Sequence, residues 1–330
     1  MKNYNVAVVG ATGMVGRTIL KVLEERKYPI NKLYLFASSK SAGEKIKYNE
    51  NEYTIEELSE DSFNKEIDIA LFSAGSSISL KYAPLAASKG IVVIDNSSAF
   101  RMNQEVPLVV PEVNPEDISK HKGIIANPNC STIQAVVALK PLHDKYDIKR
   151  IVFSTYQAVS GSGVKGINDL EKGLLGNPNS FYPHPIANNC LPHIDSFEKS
   201  GYTKEEMKMI NETRKILHDE SIKITATTVR VPVFYSHSES VNIEFNKSFD
   251  IEELKDLLKN SPGIVVLDDP DSNIYPLAIE ASGKDEVFVG RIRKDDSVEH
   301  GINVWIVADN IRKGAATNAV QIAEHLIKYL

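Results

Sequence analysis

The residue best suited to covalent chemistry is Cys130, in the stretch Asn127-Pro128-Asn129-Cys130-Ser131-Thr132. Pro128 cannot continue a strand ladder, and the apolar run that begins at Ile133 suits a helix. Asn129 is a good N-cap, so Cys130 is predicted in the first helical turn. There the helix dipole and free N–H groups favour a nucleophilic thiolate. The alternative is a small buried thiol that packs the start of the helix.

Two further residues of the second half could assist a thiolate. His237 lies in the polar, turn-like sequence Ser236-His237-Ser238-Glu239, and an imidazole there could act as an acid or base near neutral pH. Gln157 ends an alternating strand pattern and precedes a small-residue turn, where an amide can orient a carbonyl or amine. A structural histidine and a surface glutamine are the ordinary alternatives.

Four charged residues could bind a charged substrate. Glu205 and Lys208 are three apart on a predicted helix, 203–217, whose start carries the capping-box pair Thr203 and Glu206. They form either an exposed ion pair or a charged pair that faces a ligand. Arg101 follows a strand, and Arg230 ends one. Each could bind a carboxylate or phosphate as a fork, while a surface position is the alternative for Arg101.

A glycine-rich turn near the N-terminus predicts a nucleotide site. Gly10, Gly13 and Gly16 are spaced G-x-x-G-x-x-G between a predicted strand, 5–9, and a predicted helix, 17–25. Glycine allows the tight turn and close approach to a pyrophosphate, and the helix N-terminus supplies N–H donors. The alternative is a plain strand-to-helix turn.

The end of the next predicted strand, 32–37, indicates which cofactor is bound. NAD-binding folds usually place an acidic residue there, for the ribose 2′-hydroxyl. This chain has Ser38-Ser39-Lys40-Ser41, whose hydroxyls and cation suit a 2′-phosphate. The sequence therefore predicts NADP over NAD, with a solvated polar loop as the alternative.

The elements that position these residues form two patterns. Alternating strands and helices before residue 127 predict a Rossmann-like parallel sheet. Afterwards strands outnumber helices, which predicts an α+β domain with helices on one face of a sheet. Residues 158–163 are predicted as a flexible turn and 173–195 as irregular. A predicted helix, 314–330, returns to the first domain. The predicted domains are 1–127 with about 311–330, and 128–310.

Composition excludes several classes of protein. The chain has 330 residues, 42% of them hydrophobic, and a net charge of −6, which does not suit nucleic acid or an anionic membrane. The sequence has no apolar run long enough for a membrane span, and it does not predict an ordinary signal peptide. Two cysteines predict a reducing, cytoplasmic compartment. The spacing of Cys190, His184 and His193 fits no zinc motif, so no metal is predicted.

Five motifs, in order, resemble those of the aspartate-β-semialdehyde dehydrogenase family, in its bacterial dimeric branch. The resemblance covers essentially the whole chain. Its motifs are Val9-Gly10-Ala11-Thr12-Gly13-Met14-Val15-Gly16, the stretch 127–132, Tyr156-Gln157-Ala158-Val159-Ser160-Gly161, Arg230-Val231-Pro232-Val233 with His237, and Lys313-Gly314-Ala315-Ala316-Thr317-Asn318.

The resemblance implies a reaction and a role for each candidate residue. NADPH reduces L-aspartyl-4-phosphate to aspartate semialdehyde with release of phosphate, which feeds lysine, methionine and threonine synthesis. Cys130 is the nucleophile that forms a thioester, His237 the acid/base, and Gln157 a positioning group. Arg230 corresponds to the substrate-carboxylate binder, Arg101 and Lys208 to phosphate binders, and Glu205 to the partner of the ammonium. The implied cofactor contacts are Gly10, Thr12, Gly13, Met14, Val15, Lys40, Ser41, Ser160, Gly161 and Asn310. A homodimer is also implied.

Three alternative functions stay open. N-acetyl-γ-glutamyl-phosphate reductase uses the same thiol chemistry on a longer, acylated substrate, but the Glu205 and Lys208 pair favours a free ammonium. A hydrolase built on Cys130 and His237 would not need the glycine turn. A non-catalytic nucleotide-binding sensor would not need a reactive thiol.

Overall fold

A computed structural model describes residues 2–329 of the chain. Its helices and strands form two compact units. The first comprises the chain up to Asn129 and the segment from Ala315 onward, and the second runs from Cys130 to Gly314. The strands of the first unit are β1 (Tyr4–Val9), β2 (Ile30–Ala37), β3 (Lys45–Tyr48), β4 (Asn51–Thr54), β5 (Glu56–Glu57), β6 (Ile69–Phe72), β7 (Val92–Asp95) and β8 (Ile124–Ala126). Its α-helices are α1 (Met14–Glu25), α2 (Ser76–Ser88) and the C-terminal α8 (Asn318–Leu326).

The first unit is built on a six-stranded parallel sheet, in the order β5-β2-β1-β6-β7-β8. Its strands are nearly continuous apolar runs, as expected where helices cover both faces of a parallel sheet. The core joins β1 to α1 and α8, through residues such as Val8, Leu23 and Val320. The tyrosine hydroxyls of Tyr4 and Tyr28 donate to carbonyls of the C-terminal segment. The return of this segment to the first unit confirms that part of the predicted fold.

The second unit contains β9 (Ile148–Gln157), β10 (Lys223–Arg230), β11 (His237–Phe245), β12 (Ile264–Val266), β13 (Val287–Asp295) and β14 (Gly301–Ala308). They form one mixed sheet in the order β10-β9-β11-β14-β13-β12. Its helices are α3 (Cys130–Tyr146), α4 (Gly163–Leu174), α5 (Lys204–Leu217), α6 (Ile251–Lys259) and α7 (Ala278–Ala281). Helix α3 packs across the middle strands and contacts both α5 and α6, so these three helices cover one face. The structure therefore confirms the predicted α+β architecture.

Helix α4 was not predicted, and its apolar face packs in a small core that includes Leu170 and Tyr182. Two local predictions are wrong. His237 begins β11 instead of lying in a turn. The C-terminal helix begins at Asn318, after a wider π-helical turn over Arg312–Thr317.

No helix in the part of the chain that the structure describes is both long and apolar enough to cross a membrane.

Candidate active site

The glycine turn of the first unit requires its glycines. Gly10 has φ +84°, and a Cβ there would lie 2.7 Å from the carbonyl oxygen of Ser73. A Cβ on Gly16 would lie 2.1 Å from the carbonyl oxygen of Gly10, so this glycine lets α1 pack closely against the turn. Both positions have the geometry that a dinucleotide-binding turn needs.

The N-terminus of α1 fits an anionic ligand. Gly13 is the N-cap and supplies no side-chain cap, and within residues 2–329 no acidic side chain lies in the first turn. The N–H groups near Met14 and Val15 thus face no competing carboxylate, which suits the pyrophosphate of a nicotinamide dinucleotide. Thr12 accepts a hydrogen bond from Arg17 Nε through its carbonyl oxygen, at 3.1 Å. Lys40 is exposed and Ser41 half-buried in the turns that follow β2.

Arg101 is buried in the first unit, with 7% of its surface exposed, so the surface alternative is wrong. Its Nε donates to the carbonyl oxygen of Asn127 at 2.9 Å, and its Nη2 donates to that of Asn96 at 2.8 Å. These bonds hold the guanidinium beside the segment that leads into Cys130.

Cys130 is the first residue of α3, and its thiol is half-buried. Asn129 therefore stands at the predicted N-cap position, and no acidic residue lies in the first turn of the helix as described. Gly314 packs against this cysteine, because a Cβ on Gly314 would lie 2.9 Å from the Cβ of Cys130. The N–H of Gly314 donates to the carbonyl oxygen of Asp309 at 3.0 Å, which fixes this close approach.

Gln134, one turn after Cys130, ties α3 to β11. Its Nε2 donates to the carbonyl oxygen of His237 at 3.3 Å. Residues four apart lie on one face of a helix, so the cysteine and this tether share a face. Sequence reasoning missed Gln134, although a polar residue inside an apolar helical run was a signal for it.

His237 is fully buried, and its hydrogen bonding fixes its protonation. Its Nδ1 accepts the N–H of Ala158 at 3.0 Å. Burial, with the nearby Arg230 guanidinium as the second cause, holds the pKa of His237 well below its ordinary value of 6.5. The ring is therefore neutral and carries its proton on Nε2. That atom has no hydrogen-bond partner among residues 2–329.

Arg230 and His237 meet above Gly161. A Cβ on Gly161 would lie 2.8 Å from Nη1 of Arg230 and 3.4 Å from Nε2 of His237, so only glycine admits both. Nη1 of Arg230 donates to the carbonyl oxygen of Ala158 at 2.7 Å. Its Nε has no partner within the described chain, so this edge of the guanidinium can receive an anion.

Asn310 joins the same cluster through its amide oxygen. That oxygen accepts from Ser160 Oγ at 3.1 Å and from the N–H of Ser236 at 3.0 Å. Its Nδ2 is buried and has no partner over residues 2–329. The amide is thereby oriented with two donor hydrogens available to a ligand.

A series of hydrogen bonds connects Gln157 to the charged pair. Gln157 Nε2 donates to Thr155 Oγ1 and to a carboxylate oxygen of Glu205, each at 3.3 Å. Lys208 Nζ donates to the other oxygen of Glu205 at 3.0 Å and to Asp195 at 2.9 Å. Burial alone would lower the pKa of Lys208, but the two carboxylates raise it. Glu205 is 5% exposed, so the pair is not the exposed ion pair of the ordinary alternative.

Helix α5, which carries Glu205 and Lys208, is anchored by Glu206. The Glu206 carboxylate accepts the N–H of Thr203, as the predicted capping box requires, and also the N–H of Thr228 on β10. In the parallel pairing of β10 with β9, Arg230 lies opposite Gln157. The first turn of α5 is thus fixed to the strand that presents Arg230.

Comparison with known proteins identifies the family. The profile of the semialdehyde dehydrogenase NAD binding domain matches residues 5–121, and that of the semialdehyde dehydrogenase dimerisation domain matches residues 139–313. An aspartate-semialdehyde dehydrogenase of Aquifex aeolicus is 60% identical over 334 residues, with 98% of each chain covered. The chain belongs to the aspartate-semialdehyde dehydrogenase family.

Solved structures of aspartate-semialdehyde dehydrogenases agree with this assignment. Enzyme II of Vibrio cholerae, complexed with ASA, matches with a TM-score of 0.96 and 50% identity over 99% of both chains. The enzyme of Candida albicans with NADP matches with a TM-score of 0.79 and 27% identity over 98% of both chains. These comparisons favour the main functional prediction over the reductase and hydrolase alternatives.

The outer face of the second-unit sheet suits the dimerisation named for this family's second domain. The rings of Tyr156 and Trp305 pack there at a tilt of 45°, with centroids 5.5 Å apart, and Tyr156 is exposed. A cavity of about 470 Å³ is lined by Trp305 and Leu277. The apolar side chains of Leu277 and Ile279 are exposed. Exposed apolar patches of this kind mark interaction surfaces.

Proposed function

We propose that this chain reduces L-aspartyl-4-phosphate to L-aspartate 4-semialdehyde, with release of phosphate, through a thioester on Cys130. The Cys130 sulfur bonds to the acyl carbon as the bond from that carbon to the phosphate oxygen breaks. When bound, a reduced nicotinamide supplies a hydride to the acyl carbon. Breaking of the carbon–sulfur bond then frees the aldehyde and restores the thiolate. Covalent capture divides one difficult displacement into two easier steps.

The observation that carries this proposal is the register of Arg230 opposite Gln157. It supports an amino-acid substrate, since it sets a cation next to the Gln157–Glu205–Lys208 series. Arg230 binds the α-carboxylate with its Nε edge, and Glu205 binds the ammonium. Lys208 and Arg101 stay assigned to the phosphate by the family resemblance. A free ammonium suits the aspartyl substrate better than an acylated one.

His237 acts through Nε2 in this proposal. The predicted acid/base role requires Nδ1 or Nε2 to take up or release a proton. Nδ1 accepts the Ala158 N–H, so the neutral ring carries its proton on Nε2 and cannot accept another there. The ring therefore donates Nε2–H to the oxygen that becomes negative when the acyl carbon turns tetrahedral.

The two donors of Gln157 Nε2 are taken by Thr155 and Glu205, which fixes the orientation of this amide.

The cofactor proposal is NADP rather than NAD. Gly10, Thr12, Gly13, Met14 and Val15 would hold the pyrophosphate, and Lys40 with Ser41 the 2′-phosphate. Ser160, Gly161 and Asn310 would meet the nicotinamide end, where the Asn310 amide has free donors. The ratio of kcat/KM for NADPH to that for NADH tests this choice, and Lys40→Ala should lower it. A wild-type preference for NADH would contradict the assignment.

The proposal extends to assembly and location. A homodimer would bury the outer sheet face around Tyr156 and Trp305, which light scattering of the purified protein would detect. The predicted domain limits, 1–127 with about 311–330 and 128–310, and the cytoplasmic location, remain proposals.

The decisive assay is oxidation of aspartate semialdehyde in the presence of NADP⁺ and phosphate, followed by absorbance of the reduced cofactor. Activity should require both phosphate and Cys130. Activity with N-acetyl-glutamate semialdehyde instead would favour the reductase alternative, and activity without a nicotinamide cofactor would favour a hydrolase.

A further inference from the structure

Asp309 is a buried carboxylate, directly after β14, that the proposed reaction does not use. Its Oδ1 accepts the N–H groups of Ile311 and Arg312, at 2.8 and 3.0 Å. Its Oδ2 accepts the N–H of Gly283 at 2.7 Å. The side chain therefore binds backbone donors from two separate segments of the second unit.

The two bonds to Oδ1 cap a wide helical turn. A side-chain oxygen that accepts from the second and third residues after it has the pattern of a helix N-cap. The backbone then closes five residues on, where the N–H of Gly314 donates to the carbonyl oxygen of Asp309 at 3.0 Å. This spacing is that of a π-helical turn, a form frequent at functional sites. Asp309 thus fixes both the start and the width of the turn.

The capped turn carries two groups of the candidate site. Asn310, directly after the cap, accepts from Ser160 Oγ, and its buried Nδ2 has no partner among residues 2–329. Gly314 lies against the nucleophile, since a Cβ there would lie 2.9 Å from the Cβ of Cys130. The placement of both groups therefore depends on the carboxylate of Asp309.

A second side chain holds the same turn. Arg312 donates from Nε to Asp285 Oδ1 at 2.8 Å and from Nη2 to Asp285 Oδ2 at 3.1 Å. Arg312 is buried, and a bidentate pair of this kind fixes orientation as well as adding energy. Together with the bond from Gly283, the pair joins the turn to the segment 283–285 at two points. The position of the turn therefore depends on these side chains as well as on its own backbone.

We propose that Asp309 is a positioning residue, which sets the turn that orients Asn310 and holds Gly314 against Cys130. It touches neither substrate nor cofactor and acts through the backbone that it caps. This inference rests on the roles of Asn310 and Cys130 under the proposed function. Loss of the carboxylate should therefore change the reactivity of the thiol as well as turnover.

Asp309→Ser and Asp309→Asn test this role. Serine keeps an acceptor for the two cap donors but leaves the Gly283 N–H unpaired, and asparagine places an amide donor where one of these N–H groups needs an acceptor. Each should lower kcat for aspartate semialdehyde, corrected for the folded fraction, by about 10- to 100-fold, the loss that small misplacements of reacting groups cause. KM for aspartate semialdehyde should stay within about threefold, because Arg230 and Glu205 lie on other elements, while KM for NADP⁺ should rise.

Thiol alkylation provides a readout that does not need turnover. The chain has two cysteines, so in a Cys190→Ser background the rate of reaction with iodoacetamide reports Cys130 alone. Because Gly314 packs against Cys130, displacement of the turn by Asp309→Ser should expose the thiol and raise this rate about threefold or more.

Asp250→Ala is the matched control, because Asp250 caps α6 with the same pattern. Its Oδ1 accepts the N–H groups of Glu252 and Glu253, each at 3.0 Å. Helix α6 carries none of the candidate site residues. Loss of this cap should lower the melting temperature and leave the corrected kcat and the alkylation rate unchanged.

An unchanged kcat or an unchanged alkylation rate in Asp309→Ser would overturn the inference, and so would equal changes in Asp250→Ala. If Asp309→Ser does not fold, Asp309→Asn gives the same two readouts. A wild type without phosphate-dependent activity would instead contradict the proposed function, and the alkylation comparison would still report on Asp309, so the two failures are distinct.

Discussion

Asparagine and glutamine at position 237 separate the two nitrogen atoms of His237. His237→Asn keeps an acceptor near the place of Nδ1, so the Ala158 N–H keeps a partner, but it offers no donor at the place of Nε2. His237→Gln extends an amide N–H to the place of Nε2 and leaves the Ala158 N–H unsatisfied. The two variants therefore separate the effect of His237 on stability from its effect on catalysis.

The expected sizes follow from these two hydrogen bonds. Loss of one donor to a developing oxyanion lowers kcat by roughly 10²- to 10³-fold, which we expect for His237→Asn with little change in melting temperature. A buried N–H without a partner costs about 1–3 kcal/mol, so His237→Gln should be less stable by this amount. Its kcat, corrected for the folded fraction, should stay within about tenfold of wild type, because the donor is retained.

Steady-state kinetics and thermal unfolding of both variants provide the assay. Burial holds the pKa of His237 well below its ordinary value, so kcat/KM should show no ionisation of this residue around neutral pH. Wild-type kcat in His237→Asn, or equal losses in the two variants, would refute the donor role. A wild-type inflection near pH 6.5 that His237→Gln removes would restore the acid/base role.

Three further substitutions test the rest of the site. Cys130→Ser should abolish turnover and leave NADPH binding, measured by fluorescence quenching, near that of the wild type; residual turnover would contradict the thioester. Arg230→Lys should lose most of kcat/KM, because a single ammonium cannot hold the Ala158 carbonyl and also present a planar edge to a carboxylate; a mild effect would place the carboxylate elsewhere. Gly161→Ala should raise KM for aspartate semialdehyde, since the new Cβ would lie 2.8 Å from Arg230 Nη1; an unchanged KM would show that the guanidinium can move freely.

Much of the fold could be predicted because its signals are local. The glycine turn, the apolar strands and the capping box of α5 each depend on residues a few positions apart, and all appear in the structure. Helix α4 was missed because its glycines favour a turn, while the packing that stabilises it involves Tyr182, farther along the chain.

The site was less accessible, because its burial depends on contacts distant in sequence. Spacing alone left open whether Glu205 and Lys208 form an exposed ion pair or face a ligand, and the deciding bond comes from Gln157, 48 positions earlier. The tautomer of His237 depends on the backbone of Ala158, which no side-chain pattern reveals. The roles assigned to the individual site residues stay predictions until the variants are measured.

The neighbouring glutamates at the start of α5, Glu205 and Glu206, have different functions, and this difference matters for redesigning the enzyme. Glu206 closes the helix and secures it to β10, while Glu205 presents its carboxylate to Gln157 and Lys208. A screen for lost growth would report both positions as intolerant of substitution and would not distinguish their two functions. Melting curves would distinguish the two positions, because Glu206 secures the helix. Glu205 is therefore the position where a different charge could be tried for a different amino-acid substrate without detaching the helix from β10.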